Sequence, residues 1–231
     1  MEEMSGLVHQ ERRPGLHETQ LLSRSWITED AFEIRFSRPP RFEFAPGQRV
    51  RFIRNEVERD YSPVSSPQDE GIDFLIKNVK GGVFTSALAS APEGEPFHFT
   101  GPHGYFRFYP STRLPVFVAT GTGVAPFVSM ARAGVKGYIL LHGVRRSLDL
   151  YHEPLFRNTA TLYVPCLSAL KDPGEGVPGS FAGRVTGYLA DRLASGAYDF
   201  YLCGNAEMIR DVMLLVDQRF SDSRVYTETF F

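Results

Sequence analysis

The sequence has few cysteines and no excess of either charge. Cys166 and Cys203 are the only two cysteines among 231 residues, too few for a disulfide framework or a four-cysteine iron–sulfur cluster. The 25 Lys and Arg against 27 Asp and Glu leave a formal charge of -2, so no overall basic field marks a nucleic-acid-binding protein. The six histidines lie too far apart for an H-x-x-x-H or H-x-x-H pair, and we expect no metal site.

Long hydrophobic runs are also absent. The longest apolar stretches, residues 114–128 and 137–144, are broken by Gly and Pro and fall short of the ~18 residues that cross a membrane. Residues 1–15 mix acidic and basic side chains and lack the apolar segment and cleavage site of a secretory signal. We therefore expect a cytoplasmic protein without a membrane span, and we expect residues 1–16 to be mobile.

The first half of the chain contains short strand-like runs separated by turn residues. The clearest runs are residues 33–36, 49–53, 73–78 and 96–100. Such spacing is typical of an antiparallel sandwich or barrel. One helix is predicted over residues 85–91, between a glycine pair and Pro92.

After Pro110, apolar strand runs alternate with longer helical stretches. The predicted strands are residues 114–119, 137–142, 161–167 and 199–203, and the predicted helices are residues 126–133, 150–156, 187–194 and 206–220. This alternation predicts a doubly wound parallel α/β domain. We therefore predict two domains, residues 17–110 and 111–231, with the boundary near residues 109–112.

A glycine-rich turn follows the first strand of the predicted α/β domain. Gly121 and Gly123 let the backbone approach a ligand closely, and Pro126 suits the first turn of a helix. Free amides at a helix start attract phosphate, so the turn fits a dinucleotide. A glycine-rich turn between strand and helix is equally typical of plain structure.

A second motif, Arg59-Asp60-Tyr61-Ser62, lies in the predicted β domain. The Arg suits a phosphate, the Tyr ring suits a flat ring system, and the Ser hydroxyl can donate a hydrogen bond to it. Taken alone, the motif is more typical of a turn with an exposed Arg and a half-buried Tyr.

Three further motifs contain glycine. Gly81 and Gly82 precede the predicted helix, whose first amides suit a second pyrophosphate. Residues 101–104 read Gly-Pro-His-Gly, which alone indicates a structural turn. Cys203 ends a predicted strand, so the crevice rule for open α/β sheets predicts that it faces the ligand. The alternative is that, like most lone Cys residues, it is a small buried hydrophobic residue.

In this order, the motifs resemble those of the ferredoxin:NADP(H) reductase family of flavoproteins, over residues 16–231. The family motifs R-x-Y-S/T, G-G-x-x-S/T and G-P-x-G are matched by Arg59, Tyr61 and Ser62, by Gly81, Gly82 and Thr85, and by Gly101, Pro102 and Gly104. Its motifs G-T-G-x-x-P and C-G-x-x-x-M are matched by residues 121–126 and by Cys203, Gly204 and Met208. The last four residues, 228–231, look like the family's terminal Glu-x-aromatic.

The resemblance implies a six-stranded antiparallel β-barrel that binds FAD, followed by a parallel α/β domain that binds NADPH or NADH. It implies hydride exchange between NAD(P)H and the flavin, and single-electron exchange with a carrier such as ferredoxin or flavodoxin. Two cysteines cannot hold a plant-type cluster, so we expect the carrier to be external. The alternatives are a flavin-binding subunit of a larger complex and a nucleotide-responsive binding module without catalysis of its own.

Residue roles also follow from the resemblance. Arg59 would pair with the flavin pyrophosphate, Tyr61 would pack on the isoalloxazine, and Ser62 would hydrogen-bond its hydride-accepting nitrogen. The implied catalytic residues are Ser62, Cys203, Glu228 and Phe230. The implied cofactor-binding residues are Arg59, Tyr61, Ser62, Gly81, Gly82, Thr85, Gly121, Thr122, Gly123, Pro126, Arg145, Arg146, Gly204, Met208, Phe230 and Phe231.

Donor choice and carrier docking depend on arginines. NADP-specific members of the family often place an Arg after a Ser on the next strand, but this chain has Ser168-Ala169-Leu170-Lys171 there. We therefore predict a modest preference for NADPH through Arg145, Arg146 and Lys171, with NADH also accepted. Arg49 and Arg51, on one face of a predicted strand, suit an acidic carrier protein; the alternative is a solvated strand face.

Overall fold

The computed structural model describes residues 15–170 and 176–229. The first part of the chain forms an antiparallel sheet and one helix, α1 (Val83–Ser90). Its six strands are β1 (Leu16–Thr28), β2 (Ala31–Ser37), β3 (Arg49–Arg54), β4 (Val57–Tyr61), β5 (Gly71–Lys77) and β6 (Pro96–His103). They lie in the order β4-β3-β6-β1-β2-β5, so β4 and β5 are at the edges.

The chain just after β4 closes this sheet into a barrel. Pro63 forms a bridge with Phe74 of β5, and the Val64 amide donates to the Asp73 carbonyl at 2.7 Å. Phe52 is at the centre of the barrel core, with its ring centroid 5.2 Å from those of both Phe36 and Phe74. The predicted six-stranded antiparallel barrel is confirmed.

Strand β1 is not among the runs that the sequence pattern predicts. It is 13 residues long, but only Thr19 and Leu21 within it are buried. Residues 16–20 pair with β6, whereas most of the remainder pairs with β2. Because β1 changes partner and exposes most of its side chains, it shows no period-two hydrophobic pattern.

The second part of the chain forms a parallel sheet flanked by helices. Its strands are β7 (Leu114–Thr120), β8 (Ile139–Val144), β9 (Leu162–Leu167), β10 (Phe181–Ala182), β11 (Tyr198–Gly204) and β12 (Arg224–Thr229). Its helices are α2 (Ala125–Arg132), α3 (Glu153–Thr159), α4 (Val185–Asp191) and α5 (Ala206–Arg219). The strands lie in the order β10-β9-β8-β7-β11-β12. The chain adds β8, β9 and β10 on one side of β7 and then β11 and β12 on its other side, so the sheet is doubly wound, as predicted. Ligands bind in such sheets at this change of side.

Of the five α-helices that the structure describes, four begin at other residues than predicted, α1 by two residues and α2 by one. Helix α3 begins at Glu153, with Pro154 in its first turn, because the left-handed His152 (φ 58°) cannot continue a helix from residue 150. Helix α4 begins at Val185, so that Val185 and Leu189 lie on one buried face. Gly187 lies inside α4 and does not start it.

Polar and apolar contacts join the two sheets. Val64 and Leu75 belong to the same buried cluster as Phe117 and Phe127. The Ser129 hydroxyl of α2 donates to the Ser65 carbonyl at 2.7 Å. The domain boundary near residues 109–112 stays a prediction, and the mobility predicted for residues 1–16 falls almost entirely outside the described residues.

No helix in the described part of the chain is both long enough and apolar enough to cross a membrane.

Candidate functional site

A cleft of about 880 Å³ opens where β7, β8 and β11 end. It is lined by the predicted nucleotide residues Gly121, Thr122, Gly123, Arg145, Gly204 and Met208. Pro126 lies in the first turn of α2, as predicted, and is buried. The cleft is therefore at the strand-order reversal, and the structure brings most of the predicted nucleotide residues together there.

Glycine is required where the loops after β7 and β11 cross. A Cβ on Gly123 would lie 2.5 Å from the Gly204 Cα, and a Cβ on Gly204 (φ 136°) would overlap the Thr120 hydroxyl. The Asn205 amide donates to that hydroxyl at 2.9 Å. Packing of one backbone on the other thus explains two of the predicted cofactor-binding glycines.

Gly121 is the glycine that faces open space. Its φ of 52° is left-handed, and no atom lies within 4 Å of an added Cβ. The Gly121 carbonyl accepts a hydrogen bond from His142 Nε2 at 3.1 Å. This bond links the glycine-rich turn to β8.

His142 is not among the residues that the sequence motifs predict for the site. Its ring is fully buried, and burial lowers its pKa to about 4. Because a carbonyl only accepts, Nε2 must carry a proton, and because the pKa is lowered to about 4 the ring is neutral at pH 7. The sequence did contain a signal for this buried residue, because His142 follows three apolar residues of a strand and precedes a glycine.

We predict that His142 makes stability fall in acid. Between pH 6.5 and 4 the unfolded chain binds a proton that the folded imidazole does not, so the free energy of unfolding decreases as pH falls through this range. At about 1.4 kcal/mol per pKa unit, the loss between pH 7 and pH 5 is about 2 kcal/mol. Urea unfolding at both pH values measures it. His142→Gln should lose most of this pH dependence, exposed His98→Gln should keep it, and equal slopes in all three proteins would contradict the prediction.

Cations at the cleft differ in part from those predicted. Arg145 lines the cleft, whereas the exposed Arg146 lies 3.5 Å from the Asp149 carboxylate and does not line it. Arg184, which the sequence analysis missed, also lines the cleft, from the residue before α4. Lys171 lies outside the described residues.

The flavin motifs lie on the other sheet, around β4 and α1. Tyr61 is half-buried, with its ring centroid 6.1 Å from that of Phe84 in α1, and burial raises its pKa to about 12. Arg59 is exposed, and its Nη1 donates to the Glu58 carbonyl at 2.7 Å. The structure therefore brings Tyr61 close to the helix that follows the glycine pair.

The glycine pair opens α1 and has the conformation that a phosphate turn needs. Gly81 has φ 78° and open space around it. Gly82 is the N-cap of α1 and offers no side-chain cap, and a Cβ there would lie 2.6 Å from the Thr85 Oγ1. The first amides of α1 are thus left for a ligand or solvent, beside the Thr85 hydroxyl.

Ser62, directly after β4, carries a polar atom without a partner. The residue is 3% exposed, and within the described residues its Oγ is buried and has no hydrogen-bond partner. Buried polar atoms are almost always hydrogen-bonded, so a partner supplied by a ligand would satisfy this hydroxyl. The flavin contact of Ser62 stays a prediction.

Cys203 and Glu228 lie side by side on β11 and β12, where they are register partners. Burial raises the pKa of Glu228. The pKa of the Cys203 thiol lies well above its ordinary value, because the thiol is buried and the Glu228 charge is close to it. Cys203 is fully buried and does not line the cleft, so in this structure it fits the alternative of a small buried hydrophobic residue. Phe230 and Phe231 lie outside the described residues.

The arginines proposed for carrier docking are paired within the protein. Both Arg49 and Arg51 bond Asp60, with N···O distances of 2.9 and 2.7 Å. Arg54 bonds Glu95 at 2.6 Å. Since these carboxylates offset part of the positive charge, the face is ion-paired rather than simply solvated, and carrier docking there stays a prediction.

Two family models match this chain. Residues 18–108 match the oxidoreductase FAD-binding domain, and residues 117–213 match the oxidoreductase NAD-binding domain. The chain belongs to the ferredoxin:NADP(H) reductase family. The barrel with Arg59, Tyr61 and Ser62 is thus the FAD-binding domain of this reductase-family protein, and the cleft after β7 lies in its NAD-binding domain.

Named relatives of this family member include reductases of oxygenase systems. The chain is 30% identical over 210 residues to the ferredoxin–NAD(P)(+) reductase component of the Pseudomonas putida naphthalene 1,2-dioxygenase system, covering 86% of this chain and 63% of that protein. It is 27% identical over 235 residues to ferredoxin–NADP reductase A of Sorangium cellulosum, covering 89% and 84%.

A solved structure shares the fold of this family member. The ferredoxin NADP+ reductase of Neisseria gonorrhoeae, with FAD and NADP bound, aligns with a TM-score of 0.81 at 20% identity. The alignment covers 95% of this chain and 100% of that one.

Proposed function

We propose that this protein transfers electrons between NAD(P)H and an external one-electron carrier such as ferredoxin or flavodoxin. When bound, FAD supplies the chemistry, exchanging a hydride with the nicotinamide and single electrons with the carrier. The protein binds and orients the two nucleotides and shields the reacting atoms from water.

The Ser62 hydroxyl carries this proposal. It is buried, it lacks a protein partner within the described residues, and it follows a Tyr whose ring is half-buried against the barrel. A buried hydroxyl directly after a half-buried Tyr suits a flavin nitrogen better than a substrate that needs acid–base chemistry. Tyr61 would then provide the surface on which the ring system stacks.

The remaining site residues divide between the two nucleotides. The Arg59 fork, the first amides of α1 and the Thr85 hydroxyl would bind the flavin pyrophosphate. The glycine-rich turn at Gly121 would bind the nicotinamide nucleotide. Glu228 would orient the nicotinamide beside Ser62, and Cys203 would support it from beneath. The roles of Phe230 and Phe231 stay predictions.

A spectrum of the purified protein tests the proposal directly. We expect flavin absorption, release of FAD on denaturation, and anaerobic bleaching on addition of NADPH or NADH. Ferredoxin, flavodoxin and a dye should each be tested as electron acceptors. Protein that is colourless, takes up no FAD and reduces no dye would exclude the proposal. Bound FAD without turnover would favour the alternative of an electron-transfer subunit.

Donor choice is expected to depend on the two cleft arginines. A 2′-phosphate prefers a guanidinium fork, and a hydrogen bond to a charged group contributes about 1.5–3 kcal/mol. We therefore expect Arg145→Ala and Arg184→Ala each to lower the ratio of kcat/KM for NADPH to that for NADH at least about tenfold. Steady-state kinetics with both donors measures this ratio.

Arg146 is the matched comparison for this prediction, because it neighbours Arg145 but pairs with Asp149. Arg146→Ala should change the ratio less than Arg145→Ala does. An unchanged ratio in both Arg145→Ala and Arg184→Ala would show that these residues do not read the 2′-phosphate.

We also place this reaction in the cytoplasm. The two cysteines, which are both free and buried, are in keeping with a reducing compartment. Cell fractionation with an antibody to the protein tests the location, and recovery with an extracytoplasmic fraction would contradict it.

A further inference from the structure

A cluster of ion pairs joins the barrel to the last strand of the second sheet. Arg49 of β3 donates from Nη1 to Glu228 Oε1 of β12 at 2.6 Å and from Nε to Asp60 Oδ2 of β4 at 2.9 Å. Arg51 holds the same Asp60 through two bonds of 2.7 and 2.9 Å. Arg49 therefore bridges two carboxylates that belong to different sheets.

The backbone opposite the Arg49–Glu228 pair leaves room for it. Gly104 has φ 87°, and a Cβ there would lie 2.7 Å from Arg49 Nη1 and 3.3 Å from Glu228 Oε2. Any other residue at position 104 would push into the pair. The segment after β6 is thus shaped around this contact, and the pair is not a chance meeting of surface side chains.

Both carboxylates that Arg49 bonds, those of Glu228 and Asp60, lie close to residues of the proposed reaction centre. Glu228 is the register partner of Cys203. Asp60 is two residues before Ser62, whose hydroxyl has no partner within the described residues. Both partners of the pair are largely shielded from water, with 25% and 9% of the Arg49 and Glu228 side chains exposed. Solvent screening of the pair is therefore weak.

We propose that Arg49 is a positioning residue that fixes the Glu228 carboxylate beside Cys203, with Asp60 as its second anchor. This inference rests on the proposed function, because it assigns Glu228 a task at the nicotinamide. Arg49 itself touches no substrate. Its contribution is to keep Glu228 in one orientation and in its charged form as the two nucleotides meet.

The charges around Glu228 support this role. Burial raises the pKa of Glu228, the Asp60 charge raises it further, and Arg49 acts in the opposite direction. Cys203, on the neighbouring strand, is kept in its neutral thiol form by burial. Without Arg49, Glu228 would face burial and a like charge together, and its pKa would rise.

Two measurements on the flavin-loaded protein test the proposal. The first is the titration midpoint of the Glu228 carboxyl, followed by infrared or carbon-13 NMR spectroscopy and assigned with Glu228→Gln. The second is the pH profile of flavin reduction by NADPH in stopped flow. In Arg49→Gln we expect the Glu228 midpoint to rise by about one pH unit or more, and the rate at neutral pH to fall about tenfold with the same shift in its profile.

Arg54→Gln is the matched control. Arg54 lies on the same strand and also forms a 2.6 Å bond to a glutamate, but that glutamate is Glu95, away from Glu228. It should leave both the midpoint and the profile unchanged. Arg49→Lys keeps the charge, so its Glu228 midpoint and its rate profile should lie between those of Arg49→Gln and the wild type. If Arg49→Gln does not fold, Arg49→Lys is compared with the wild type instead.

An unshifted Glu228 midpoint in Arg49→Gln, or an equal shift in Arg54→Gln, would overturn the pairing. A shifted midpoint with an unchanged rate profile would show a structural contact only and would overturn the positioning role. If the wild-type flavin is not reduced by NADPH or NADH, the proposed function fails, whereas the midpoint still reports on the pair. The two failures are therefore distinguishable.

Discussion

Replacing Ser62 with Ala is expected to slow reduction of the bound flavin about 100-fold while flavin stays bound. Misplacing reacting atoms by about 1 Å costs a rate factor of this size. The Ser62 Oγ has no bond to lose within the described residues, so the apoprotein should be no less stable without it. Stopped-flow reduction, a flavin Kd and urea unfolding measure the three quantities.

Ser65 is the matched control for this experiment. It is also buried, three residues further on, but its Oγ accepts a hydrogen bond from the Asp73 amide at 3.1 Å. Ser65→Ala should leave that amide unpaired and cost about 1–3 kcal/mol of stability with little effect on the rate. If Ser62→Ala and Ser65→Ala lose rate and stability in parallel, Ser62 is a core residue rather than a flavin contact.

Removal of the Arg59 guanidinium is expected to weaken flavin binding about 10- to 100-fold. Each hydrogen bond from a guanidinium to a charged oxygen contributes about 1.5–3 kcal/mol, and the Arg59 guanidinium is exposed, with Nη1 on the Glu58 carbonyl. We expect Arg59→Lys to bind with intermediate affinity, because it keeps the charge and loses the fork. Titration of the apoprotein with FAD measures the Kd.

Arg113 provides the comparison. Its guanidinium is also exposed and donates to a backbone carbonyl, that of Asp222, at 2.9 Å. It lies next to the second sheet, so Arg113→Ala should bind FAD as the wild type does. Equal flavin affinity in Arg59→Ala and the wild type would place the pyrophosphate elsewhere.

The pattern of residue types along the chain was enough to predict both the architecture and the positions of the motifs. Strand and helix periodicity, together with Gly and Pro at fixed offsets, predicted the change from antiparallel barrel to doubly wound sheet. These patterns are readable because side-chain alternation and turn chemistry depend on near neighbours in the chain. The Gly121 and Gly82 turns were found in this way.

Long-range contacts decided what local pattern could not show. Strand β1 was missed because it changes partner from the distant β6 to β2 and exposes most of its side chains. Arg184 reaches the cleft, and His142 reaches the Gly121 carbonyl, only because the parallel sheet brings the ends of separate strands together. Arg146 had the right residue type and position in the chain, yet it pairs with Asp149 and does not line the cleft.

The sequence by itself thus determined the fold class, the family motifs and the residue types offered to each nucleotide. The tertiary structure alone decided which polar groups lack partners and which charges are already satisfied. Among the residues that the structure describes, none bonds the Ser62 hydroxyl, whereas Arg49 is bound by Asp60 and by Glu228, 179 positions away. Burial and pairing depend on what the folded chain places within a few ångströms, and that information lies in no single segment.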